Sequence, residues 1–100
     1  MKIITLCGSL RFQKEMMQVA KELSLNGDCV LSPIYFSLQE NNITKEQLLN
    51  LKQAHFKRIE LADAILIIDI DHYVGKSTTK EIEYAKQLGK EILYYTNLFM

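Results

Sequence analysis

The chain has 100 residues, 48% of them hydrophobic and 24% charged, with 12 Lys or Arg balanced by 12 Asp or Glu. This length supports one domain around one core, and a formal charge of zero gives no global field toward nucleic acid or an anionic membrane. No apolar run approaches the roughly 20 residues that a membrane span requires.

The N-terminal stretch MKIITLCGS lacks the apolar core of a signal peptide, so the expected location is the cytoplasm. Cys7 and Cys29 fit there as small apolar residues in a reducing compartment. With no CxxC, no HxxxH and 2 histidines, no metal and no cofactor is expected.

In chain order, residues 2–7 (KIITLC) are β-branched and bounded by Gly8, which predicts a buried strand. Phe12, Met16, Val19, Ala20 and Leu23 then recur at helical spacing, with Ser9 able to cap the start and Gly27 the end. Residues 28–33 read as a second strand that Pro33 stops. Residues 34–42 form a loop with apolar members. Residues 44–63 predict a second helix opened by a Thr44–Gln47 capping box, with Leu48, Leu51, His55 and Ile59 on one face. Residues 64–70 (AILIIDI) are the most apolar and suit the centre of a sheet. A third helix follows, from STTKE to Gly89, and residues 91–96 form a fourth strand. The final NLFM is left to dock on a neighbour or fray.

Strands alternating with helices predict an α/β fold: a three-layer, flavodoxin-like or Rossmann-like parallel sheet of four strands in the order 2-1-3-4, with residues 1–100 as a single domain. Ligands of such sheets bind at the carboxyl ends of the strands, where strand order reverses. Gly8, Ser9, Leu10 and Arg11 arrive there after the first strand. Asp69, Asp71 and the 72–81 segment arrive after the third.

GKS at 75–77 imitates the end of a phosphate-binding P-loop. That motif needs a glycine five positions before Gly75, where Ile70 stands. No GxGxxG is present either. Glu81 admits two readings. With Thr78 it spells a capping box, and an acid in a first turn suits the helix dipole. It also shares a helical face with Ala85 and Leu88 at the ligand end of the sheet, where a carboxylate could face a bound molecule. The loop CGSLRF is equally divided. It is either a capped helix with a solvated arginine, or an anion site built from Gly8, Ser9, the helix N-terminus and Arg11.

Taken together, CGSLRF, LADAILIID and EIEYAKQLGKEI, in this order, resemble the nucleoside 2-deoxyribosyltransferase superfamily, most of all its 2′-deoxynucleoside 5′-phosphate N-hydrolase branch. The similarity runs from about Ile3 to Leu93. It implies a flavodoxin-like fold that cleaves or exchanges an N-glycosidic bond, with the family's nucleophilic glutamate at Glu81. Ser9 and Arg11 match the loop near the sugar or 5′-phosphate, while Gly75, Ser77 and Thr78 fall in the phosphate segment. The pattern departs at Glu83, where the family has glycine, and in that segment, where Gly75 is the one glycine and Lys76 adds charge. The family's catalytic aspartate falls on or near His55, which could protonate a leaving base or be a half-buried helical histidine without a role. Asp69 and Asp71 could serve as the acid, bind a ribose hydroxyl, or be solvated loop acids. Asp63 reads as structural.

The 34–42 loop is the candidate lid, with Tyr35, Phe36 and Leu38 able to stack on a base or to pack in the core. The family commonly builds its site from more than one subunit, so a homodimer or higher homo-oligomer is expected. The expected partner is a small nucleoside or nucleotide. The alternative function is an inactive nucleotide-binding or partner-binding module of the same fold.

Overall fold

A computed structural model of the chain describes residues 1–37 and 42–99. Four parallel strands form the sheet: β1 (Ile3–Cys7), β2 (Cys29–Leu31), β3 (Ala64–Ile67) and β4 (Glu91–Tyr94), in the order β2-β1-β3-β4. Helix α1 (Gln13–Leu25) connects β1 to β2, α2 (Lys45–Leu61) lies between β2 and β3, α3 (Lys76–Gln87) connects β3 to β4, and a short α4 (Tyr95–Leu98) follows β4. The predicted fold class and strand order are therefore present.

Strand parity divides the core into two layers. Ile4 and Leu6 of β1, with Leu66 and Ile68, meet Met16 and Val19 of α1. Cys7, Ile65 and Ile67 point to the other face, where Ile59 of α2 and Ile82 and Ala85 of α3 cover them. Register pairs Cys7 with Ile67, so the carboxyl ends of the two central strands finish level. The crevice opens above that point.

Local chemistry sets the element ends. Thr44 and Gln47 make the reciprocal capping box, with bonds of 2.9 and 3.1 Å. Ser9 Oγ accepts from the Arg11 amide and caps a short 3-10 turn, Leu10–Phe12, ahead of α1. Asp63 accepts from the Ile3 amide at 2.8 Å and Lys2 pairs with Glu91, which locks the amino edge of the sheet. No described helix is long and apolar enough to cross a membrane.

Five expectations change. The second strand is shorter than residues 28–33, the third ends at Ile67 short of residue 70, and the fourth ends at Tyr94 because the chain turns into α4. Helix α3 starts at Lys76 with Gly75 as its cap residue, so Thr78 lies inside the helix and makes no capping box with Glu81. Its buried stripe is Thr78, Ile82 and Ala85, with Glu81 at the margin, while Leu88 is exposed. Tyr35 packs against the α1-side core. Leu38 lies outside the described residues.

Candidate functional site

A cleft of about 920 Å³ sits at the carboxyl edge of the sheet. One wall is the turn after β1, with Gly8, Ser9, Leu10 and Arg11. The opposite wall is the start of α3, with Gly75, Lys76, Ser77, Thr78 and Glu81. Helix α2 closes the back with Leu48, Leu51, Lys52, His55 and Arg58, and Pro33, Ile34, Phe36 and Ser37 rise from the end of β2.

Gly8 makes the first wall possible. Its φ is +150°, and a Cβ there would stand 3.0 Å from the Ile68 carbonyl oxygen and 3.0 Å from Met16 Cε. A bare backbone lets the turn lie flat against β3, which leaves room above it. Tyr73 then guards the mouth. Arg11 stacks on its ring at 4.3 Å, and Phe12 meets it edge-on. This holds the guanidinium at the rim by its stack on the ring.

The innermost corner joins three elements. His55 Nε2 of α2 lies 3.4 Å from Glu81 Oε1 of α3 and 3.6 Å from Cys7 Sγ of β1. The side chains of His55 and Glu81 are 11% and 16% exposed, so both are largely shielded from water. His55 Nδ1 is buried and has no hydrogen-bond partner among the described residues. The Cys7 thiol is pushed up well above its ordinary value, first by burial and then by the negative charge of Glu81. It stays protonated at neutral pH and is no ready nucleophile.

The cleft is electrostatically one-sided although the chain is neutral. Arg11, Lys52, Arg58 and Lys76 line it, and among the described lining residues Glu81 is the one carboxylate. The start of α3 adds to this. Gly75 offers no side chain to cap it, so the first-turn amides of a 12-residue helix meet the cleft unclaimed by a cap. Such a wall suits an anionic group.

Nine of the eleven candidates from the sequence border the cleft: Gly8, Ser9, Leu10, Arg11, His55, Gly75, Ser77, Thr78 and Glu81. Asp69 and Asp71 do not. Asp69 is 4% exposed and spends both carboxylate oxygens on Thr96, at 3.0 Å to its amide and 2.8 Å to its hydroxyl. It anchors α4. Asp71 is exposed, and with His72 it forms a tight left-handed turn at φ 54° and 60°. Its role is to turn the chain toward α3. Cys7, Lys52 and Arg58 also stand at the site although the sequence does not single them out, while Tyr73 belongs to the 72–81 segment expected there. Lys52 and Arg58 stand three residues either side of His55, and that spacing is the signal that could have found them. For Cys7 the signal is parity with Thr5, whose hydroxyl donates to the Arg58 carbonyl of α2 on the same face.

No protein-family model matches the chain, and no curated protein matches it. Among solved structures it is similar to the 2-desoxiribosyltransferase from Leishmania mexicana, with a TM-score of 0.70 and 22% identity. The alignment covers 94% of this chain and 63% of that one, so the two share a fold while the present chain spans under two thirds of its neighbour.

Proposed function

We propose that the chain cleaves or exchanges the N-glycosidic bond of a deoxynucleoside or its 5′-monophosphate, with Glu81 as nucleophile. The observation that carries this reading is the position of Glu81: a shielded carboxylate, alone of its kind on the described walls, beside His55 and in a cleft otherwise cationic. Its neighbours suit the parts of the substrate. The open start of α3 with Lys76, Ser77 and Thr78 suits the phosphate, with Arg11 opposite. Phe36, Leu48 and Leu51 offer the base a flat apolar wall. The name of the structural neighbour supports deoxyribose as the sugar.

The chemistry takes two steps. A Glu81 carboxylate oxygen bonds to C1′ as the C1′–N bond breaks, and the electron pair leaves with the base, which takes a proton from His55. Water, or a second base, then attacks C1′. The glycosyl–Glu81 bond breaks, and the proton of the incoming nucleophile passes to His55. Configuration at C1′ is retained through two displacements. The cleft lies in one chain, and we expect a homo-oligomer to enclose it further.

The test is release of free base from a panel of deoxynucleosides and 5′-monophosphates, followed by chromatography. Glu81→Gln should lower the rate about a thousandfold or more, and His55→Gln about a hundredfold. Binding without release in the parent chain would assign it to the nucleotide-binding module instead. Release that survives Glu81→Gln would remove Glu81 from the mechanism.

A further inference from the structure

The corner that holds Glu81 has a second chemical property. We propose that Cys7, His55 and Glu81 form a three-ligand site for a borderline-soft divalent cation, zinc above all, with its fourth position open to the cleft. The three donor atoms, one thiol sulfur, one imidazole nitrogen and one carboxylate oxygen, lie within 4.8 Å of one another.

Tetrahedral zinc bonds of about 2.3 Å to sulfur and about 2.0–2.1 Å to nitrogen and oxygen set S···N edges of about 3.6 Å and N···O edges of about 3.4 Å. Sγ to Nε2 is 3.6 Å and Nε2 to Oε1 is 3.4 Å. The donors come from β1, α2 and α3, so the packed sheet and helices fix them before any ion arrives. His55 and Glu81 border the cleft while Cys7 lies behind them, which leaves one open vertex facing substrate. Zinc binding releases the Cys7 proton to solvent and puts a thiolate on the metal. With Nε2 on the metal, Nδ1 carries the imidazole proton, and it has no acceptor among the described residues. Affinity should therefore fall about ten- to a hundredfold below that of a site with a buttressed histidine.

The site stands on geometry alone; one consequence rests on the glycosyl-transfer reading. A cation on Glu81 occupies the nucleophile, so zinc should inhibit base release and a chelator should restore it.

The test is titration of chelator-treated protein with cobalt(II), a spectroscopic stand-in for zinc. A near-ultraviolet thiolate-to-cobalt band with intense visible bands at one equivalent is the expected result, and zinc should bleach both. Cys29→Ser should keep the thiolate band. Cys7→Ser should lose it, and Glu81→Gln should weaken binding about a hundredfold. Should Cys7→Ser fail to fold, zinc protection of Cys7 against alkylation in the Cys29→Ser chain gives the same answer. Absence of the thiolate band, its persistence in Cys7→Ser, or alkylation of Cys7 unaffected by zinc would overturn the proposal. Base release by the metal-free protein is read separately, so either reading can fail without the other.

Discussion

Asp69 offers a sharp test of the division between scaffold and site. Its two bonds to Thr96 tie the loop after β3 to the turn after β4. A hydrogen bond to a charged group contributes about 1.5–3 kcal/mol, and two bonds to one residue are coupled rather than additive. Asp69→Ala should therefore cost about 3 kcal/mol. Asp69→Asn should cost about 1 kcal/mol, because its amide oxygen still accepts from the Thr96 amide and its NH₂ can donate to the Thr96 hydroxyl. Urea melts at neutral pH read the difference. With a slope of about 1–1.5 kcal/mol per molar, the alanine midpoint falls by about 2–3 M and the asparagine midpoint by about 1 M or less. Thr96→Val should lie between them. Equal losses for Ala and Asn would refute the geometry. An unchanged midpoint with base release abolished would place Asp69 among the reacting groups instead.

Gly8→Ala should cost about 2–4 kcal/mol, because a Cβ meets backbone at 3.0 Å in a conformation L-residues rarely adopt. Gly89→Ala, at φ +71° with nothing within 4 Å, should cost about 1 kcal/mol, and thermal melts of the two compare them. Tyr84 donates to Glu60 at 2.7 Å, which raises the phenol and lowers the carboxyl. Glu60's share of stability is present above its unfolded carboxyl value and fades as pH falls through the lowered one. Tyr84's is present below the ordinary phenol value of 10.0 and fades as pH rises through the raised one. Tyr84→Phe should flatten both arms of a plot of Tm against pH. Lys76→Ala should raise KM for a 5′-monophosphate about tenfold and leave the unphosphorylated nucleoside nearly unchanged.

How much of the fold is legible in the sequence follows from how local each signal is. The alternation of β-branched runs with helical spacing specified all four strands, their order and the edge where ligands gather, because hydrophobic period and crossover handedness act over short distances. Gly8 through Arg11 and Glu81 followed from that edge. Asp69 and Asp71 fall at the same edge for the same reason, yet neither lines the cleft. Nothing local to Asp69 announces a partner 27 residues away. In sequence Cys7 reads as filler, because its companions, His55 and Glu81, are brought to it by helices packed on one sheet face. Thr78 and Glu81 spell a capping box, yet Lys76 extends the helix by enough to bury that threonine.

The cationic lining has a consequence beyond the cleft. Total charge is zero, and the described lining carries four cations against one acid, so a surplus of three there is balanced by a deficit of three among the chain's other residues. The molecule is a dipole in disguise. At physiological salt its pull on an anion fades within about 8 Å, so capture is governed at the threshold and not from afar. Ionic strength should tune ligand affinity steeply.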